Sequence, residues 1–318
     1  MNWGRAAALA AGGIALVWIL STVGIEVLAR DVALAGWALP FTIFVHAVQL
    51  YLSALAWRLS LGGGPVDGAE LTGRTIFRIR WIREGVNSLL PVAQIGGQVV
   101  GARLLVRQGF PPPMAVAGTI LDVTLEAASQ LIFTLAGVTA LLLLSRDHGW
   151  LAWVGSGLGL TAAGIAGFVV AQRLGLLRVI ERLVERAAAS WPATANWSMA
   201  GLHDALMARQ ADAGALARAL GLHTLSWALG GLEVWIALQA LGYGMSLVDA
   251  AVIESLGMAA RSAGFAVPGA VGVQEGGFVL VCGLFGVPAE AALALSVLKR
   301  ARELFVGVPA LVLWQGSK

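Results

Sequence analysis

The sequence predicts an all-α integral membrane protein, with about six transmembrane helices plus two re-entrant helical hairpins in inverted-topology repeats. Three observations carry this. The 318 residues are 58% hydrophobic and only 12% charged, against ~25% charged in an ordinary soluble domain. Six stretches are apolar enough, over the ~20 residues a bilayer core demands, to span as helices. Two further apolar stretches are interrupted by glycines and carry Pro91 and Pro268. Proline removes a backbone donor and clashes with the preceding turn, and broken backbone persists at membrane depth only where protein or a wet cavity surrounds it.

The first span is read over 4–28. It is too long for the apolar core of a signal peptide and lacks a small-residue cleavage site before Glu26 and Arg30, so a retained helix is expected. The second span covers 33–60. A hairpin follows over 71–108, its broken apolar part at 84–108, and then the third span at 113–145. The fourth span is 150–171. Residues 172–213 form a cytoplasmic linker with amphipathic stretches around 176–189 and 199–211, joined at Trp191-Pro192. The fifth span is 215–241, the second hairpin 247–286 with its broken part from 249, and the sixth span 288–314. Within one transmembrane domain, 1–318, the unit of span, hairpin and span thus occurs twice, at 33–145 and 215–314. The 41 glycines fit close helix approach, and several of the 12 tryptophans lie near ends of apolar runs, as interfacial anchors do.

Arginines orient the chain. Arg74, Arg78, Arg80, Arg83, Arg103 and Arg107 cluster between the second and third spans, and Arg173, Arg178, Arg182, Arg186 and Arg209 between the fourth and fifth. The positive-inside rule puts both clusters in the cytoplasm. With two hairpins that do not cross, both termini fall inside and every arginine-rich connection does too. The first repeat then begins outside and the second inside, the inverted arrangement of many secondary transporters. Arg74 to Arg83 reads as a basic helix on the surface of anionic lipid.

Each repeat carries the same pattern: a proline, a Gly-Gly pair, a lone glycine, then charges at a fixed interval. The first copy is Pro91, Gly96-Gly97, Gly109, Asp122 and Glu126; the second is Pro268, Gly276-Gly277, Gly286, Lys299 and Glu303. The proline to Gly-Gly spacing differs between the copies. Glu84 and Arg261 stand equally far ahead of their prolines. A charge at the centre of a membrane helix costs ~2.5–3.5 kcal/mol on the insertion scale, so these residues need partners. Asp122 and Glu126 share a helix face, as do Lys299 and Glu303, with Arg302 beside them and Arg300 about a quarter-turn away. The simplest arrangement pairs Asp122 or Glu126 with Lys299 or Arg302. Buried pairs can serve only to fix register; at membrane depth a functional reading is favoured. Glu275 opens the descending helix of the second hairpin, where the helix dipole favours an acid; a proton site or a headgroup contact is the sharper reading. Asn87, Ser88 and Gln94 flank the first bend.

Other chemistry is not expected. The single Cys282 excludes an internal disulfide and reads as a packing residue. His46, His148, His203 and His223 show no ligand spacing, so no metal is expected. No nucleophile elbow, phosphate loop or dinucleotide fingerprint is present, and no cofactor is implied. The basic excess follows membrane topology rather than nucleic acid.

The pattern of Asn87, Pro91 and Gly96-Gly97, followed by Pro268-Gly269, Gly272 and Glu275, resembles the flippase-like transmembrane region of lysylphosphatidylglycerol synthases, the multiple peptide resistance factor family. The stretch Val267 to Phe285 and the run Leu298 to Arg302 are most similar to its stand-alone branch associated with hopanoid biosynthesis. The resemblance runs from about residue 33 to 314, with Ala270 where the family often has a second glycine. It implies movement of a lipid, a hopanoid or an anionic phospholipid, between leaflets of the bacterial inner membrane. Only Gln315 to Lys318 follow the last span, so lipid aminoacylation is not expected. The translocation residues are then Asn87, Pro91, Gly96, Gly97, Asp122, Glu126, Arg261, Pro268, Gly269, Gly272, Glu275, Lys299, Arg300, Arg302 and Glu303. The alternatives are a membrane-embedded enzyme modifying a lipid or polyprenyl carrier, and a scaffold of a lipid-synthesis complex. A homo-oligomer or such a complex is left open as partner.

Overall fold

Every regular element among the described residues of the computed structural model is helical, and side chains cap the starts of two of these helices. The structure describes residues 30, 33–62, 71–90, 96–144, 200–263, 270 and 272–316. After a short 3-10 turn, α1 (Leu39–Leu61) starts with Pro40 in its first turn and stops at Gly62, whose φ is 69°. Thr72 caps α2 (Gly73–Leu89) by accepting from the Thr75 amide at 3.2 Å. Then come α3 (Gly96–Arg107), α4 (Pro112–Leu144) and α5 (Leu202–Gln210). Asp212 caps α6 (Ala213–Ala240), accepting from Ala215 at 3.0 Å. The last three are α7 (Leu247–Ala263), α8 (Val273–Gly283) and α9 (Ala289–Gln315). The expected spans 4–28 and 150–171, and the linker before residue 200, lie outside the described residues.

Two helices, Ala33–Leu61 and Pro112–Leu143, are long and apolar enough to cross a membrane. α6 and α9 match them in length at 28 and 27 residues, but their charges dilute the apolar face.

Both proline-broken stretches are helix pairs that fold back on themselves. In the first, Asn87 Oδ1 accepts from the Gly97 amide at 2.9 Å, while Gly101 packs nearer the Arg83 side chain. In the second, Arg261 donates to Gln274, and Gly257 faces Phe278. The partner index rises as the helix index falls in each pair, so the helices run antiparallel. The lone glycines of the two copies have one backbone role. Gly109 (φ 91°) turns the chain into α4, and Gly286 (φ 71°) turns it into α9, both in the left-handed region that glycine enters freely. Ala270 has a φ of 48°, a conformation that costs an L-residue ~1–2 kcal/mol.

Packing partners correspond between 33–144 and 213–316. α1 lies against α6, antiparallel: His46 approaches Glu233, and Gln49 and Ser53 meet Ser226. α2 packs on α9 and α7 packs on α4; α3 covers α4 as α8 covers α9. Small residues set the approach. Gly231 on α6 meets α7 so closely that an added Cβ would stand 2.8 Å from the Ala251 backbone. Backbone cannot rotate away as a side chain can. Gly231→Ala is therefore expected to destabilise the fold by about 1–3 kcal/mol, whereas Gly221→Ala on the same helix, with open space around it, should be neutral or better. Thermal unfolding of the two purified variants in detergent checks the contrast.

Candidate functional site

Seven of the described helices close around one polar cavity of about 350 Å³. α1 contributes His46, Gln49 and Ser53; α2 contributes Arg80, Arg83, Glu84 and Asn87; α3 adds Gln98. α4 presents Glu126 and Gln130, α6 His223 and Ser226, α7 Glu254 and Arg261, and α9 Arg302 and Glu303. Among the described residues, four arginines and four glutamates therefore share the lining.

Three sets of charges surround it. In the first, Arg80 and Arg83 each bind both carboxylates of α4. Arg80 reaches Asp122 at 3.2 Å and Glu126 at 2.7 Å; Arg83 reaches Asp122 at 2.5 Å and Glu126 at 3.2 Å. His223 Nε2 lies 3.0 Å from the other Asp122 oxygen, and Trp57 stacks 5.0 Å from the Arg83 guanidinium. Asp122 is wholly buried, so two arginines and an imidazole replace its lost hydration. In the second, Lys299 holds both oxygens of Glu254, at 2.7 and 2.9 Å. Arg302 binds Glu233, which His46 approaches at 3.6 Å. In the third, Arg261 binds Glu303 and donates to Gln274 at 2.7 Å. Arg300 joins Glu303 to Glu275, each at 3.2 Å.

The expected pairing of Asp122 or Glu126 with Lys299 or Arg302 is not what the structure holds. Those acids belong to Arg80 and Arg83, and those bases to Glu254 and Glu233. The cause lies on α2. Arg80 and Arg83 point inward and are 4% and 1% exposed, whereas Arg74 and Arg78 on the opposite face are exposed. The arginine run is thus not one surface feature, and its two inward members do not anchor to lipid headgroups.

The structure sorts the other predicted residues. Asn87, Glu126, Arg261, Arg302 and Glu303 line the cavity; Asp122, Lys299, Arg300 and Glu275 stand behind it. Glu275 accepts from the Gly272 amide at 2.7 Å, the role of an acid in a first turn. Gly97 serves close packing, since a Cβ there would strike the Arg83 carbonyl and Asn87; Gly96 opens α3. Pro91, Pro268 and Gly269 lie outside the described residues.

Sequence reading missed Arg80, Arg83, His46, His223, Glu233 and Glu254 as site residues. One signal was available for the histidines. Ser226 lies 177 residues after Gln49, whose carbonyl accepts its hydroxyl at 3.1 Å. The same offset carries His46 to His223, Glu84 to Arg261, Pro91 to Pro268, Gly109 to Gly286, Asp122 to Lys299 and Glu126 to Glu303. Among the described residues every arginine or lysine ion pair lies within 33–144 or within 213–316, and only the two histidine contacts cross between them. No cluster that could hold a metal occurs among the described residues.

A family model described as the lysylphosphatidylglycerol synthase transmembrane region matches residues 5–310. Comparison with curated proteins and with solved structures gives no match.

Removing one partner of a buried pair strands the other charge. Lys299→Met should therefore destabilise the protein by about 3–5 kcal/mol through Glu254, and adding Glu254→Gln should recover most of that loss. Unfolding of the single and double variants by denaturant, followed by tryptophan fluorescence, checks this.

Proposed function

The chain belongs to the lysylphosphatidylglycerol synthase transmembrane family, and from that premise we propose that it moves a lipid between leaflets of the bacterial inner membrane. The cargo is a hopanoid or an anionic phospholipid. The observation that carries this reading is the polar cavity between 33–144 and 213–316, in a bundle that exposes large apolar side chains such as Phe44, Leu143 and Leu280. A headgroup placed there meets donors and acceptors in equal supply, while its tails stay in the bilayer. Arg261, Glu303, Glu126 and Gln130 contact the headgroup. Asp122, Lys299 and Glu233 hold the lining charges in place.

The helices on either side act as inverted repeats, with α2–α3 and α7–α8 as re-entrant hairpins. The common offset of 177 residues, the antiparallel α1–α6 contact and the corresponding packing partners support this. So does Gln49 touching Ser226, its own counterpart, where a two-fold axis would pass. Under this reading the chain is not an enzyme and its lipid leaves unchanged in mass.

Transport is tested in proteoliposomes. Periodate reads the outer-leaflet share of a polyol hopanoid, and dithionite that of a nitrobenzoxadiazole-labelled phosphatidylglycerol. Movement is expected to slow about tenfold or more in Arg261→Gln and Glu303→Gln, with the fold intact by size-exclusion chromatography. Equal rates in variant and parent would refute the site, and a changed lipid mass would favour an enzyme. Topology is tested with single cysteines at Val92 and Val271 in a Cys282→Ser background. Impermeant maleimide should reach the two from opposite faces of the membrane; labelling from one face would overturn the inversion.

A further inference from the structure

Two histidines hold corresponding places in 33–144 and 213–316, yet they are engaged differently. His223 on α6 is 1% exposed and lies 3.0 Å from Asp122 Oδ1. Its counterpart His46 on α1 is 16% exposed, lines the central cavity and faces Glu233 of the other half. His46 Nδ1 lies 2.9 Å from Gln49 Oε1, one turn along its own helix, and 3.6 Å from Glu233 Oε1. With the Gln49 oxygen accepting, Nδ1 carries the hydrogen of the neutral ring and Nε2 keeps a lone pair. Glu233 is buried; its Oε2 accepts from Arg302, while Oε1 accepts no hydrogen bond among the described residues. The other charges around the ring are matched without it. Arg80 and Arg83 of α2 are paired with Asp122 and Glu126 of α4. Arg302 of α9 is paired with Glu233 of α6, Lys299 of α9 with Glu254 of α7, and Arg261 of α7 with Glu303 of α9. Glu84 of α2 adds a further carboxylate to the same cavity. A buried carboxylate oxygen, a ring able to become a cation and a polar cavity thus meet at one point of the seam.

We propose that His46 and Glu233 form a proton-binding site that latches the two halves together. A proton from cavity water binds the Nε2 lone pair. The imidazolium then turns its Nδ1–H from the neutral Gln49 oxygen to the anionic Glu233 oxygen, and α1 is drawn onto α6. Return of the proton to water frees the ring, and no bond of a cargo forms or breaks. Acids and histidines at membrane depth serve as proton relays in transporters, and imidazole changes charge between about pH 5 and pH 8. Coupling of this latch to lipid movement rests on the transport reading above; the latch itself does not.

The test joins the seam by a disulfide. Ser53 Oγ and Ser226 Oγ lie 3.2 Å apart across it. Ser53→Cys/Ser226→Cys in a Cys282→Ser background of the full chain, in nanodiscs, therefore reports closure, read by mass spectrometry of the linked peptides. Mild oxidation should join the pair about fivefold faster near pH 5.5 than near pH 8. Thiol chemistry alone runs the other way, because the thiolate is the reactive form. His46→Gln, which keeps size and hydrogen bonding but takes up no proton, should abolish the difference. His203→Gln, outside the cavity lining, should keep it. Should His46→Gln fail to fold, Gln49→Glu, which offers the imidazolium an anion on its own helix, is expected to abolish the difference too. Equal cross-linking of the parent at both pH values, a response that survives His46→Gln or Gln49→Glu in a folded protein, or one lost in His223→Gln but not in His46→Gln would each overturn the latch. In proteoliposomes the parent's lipid movement should depend on pH and His46→Gln should not. A seam that responds to pH in a protein that moves no lipid would uphold the latch and refute transport. Lipid movement indifferent to pH, with a seam that does not respond, would refute the latch and leave transport standing.

Discussion

Charge compensation inside an apolar bundle is the constraint on which the rest of this structure depends. A carboxylate as buried as Asp122 is tolerable only where other groups replace its hydration, and neighbouring cations must come close enough to do so. That requirement fixes α2 against α4 through Arg80 and Arg83, and α7 against α9 through Glu254 and Lys299. It also explains why α2 presents Arg80 and Arg83 to one side and Arg74 and Arg78 to the other. Close approach is the second condition. Gly97 lets α3 lie on the Arg83 backbone, and Gly230 faces the Glu254 carboxylate at a distance no larger residue would allow. The polar cavity is what remains where these helices cannot fill the space between their own charged side chains.

The outline of the fold was legible because apolar length and proline breaks are local properties. The apolar stretches read at 113–145, 215–241 and 288–314 are the helices Pro112–Leu144, Ala213–Ala240 and Ala289–Gln315. The helices on either side of Pro91 and Pro268 end and resume around them. Part of the site was legible for the same reason: Asp122, Glu126, Lys299 and Glu303 are conspicuous in apolar helices. Their partners were not, since pairing depends on how helices rotate. Arg80 and Arg83 were masked because all four arginines of the run, Arg74, Arg78, Arg80 and Arg83, read as one interfacial helix. Glu233 and Glu254 are single acids in otherwise apolar stretches, and nothing nearby in the chain marks them. The histidines were hidden differently. Each looks unremarkable alone, and only the shared offset shows that His46 and His223 occupy corresponding places.

The two faces of α2 divide its labour. Its inner face takes part in a balanced lining, four cations against four anions, where a headgroup exchanges one set of hydrogen bonds for another. Its outer face presents Arg74 and Arg78. Amphipathic periodicity in this helix thus separates two kinds of polar surface rather than polar from apolar, which is why its composition reads as a surface helix although half of it is interior.

The way ion pairs are distributed has a mechanical consequence. Among the described residues, each half supplies the carboxylates for its own ion-paired arginines and lysine, and the seam between the halves is bridged by imidazoles and neutral hydrogen bonds. A displacement of one half against the other would therefore part none of these arginine or lysine ion pairs among the described residues. The contacts that such a displacement would have to break and remake among the described residues are the two imidazole contacts and the neutral hydrogen bonds beside the shared cavity.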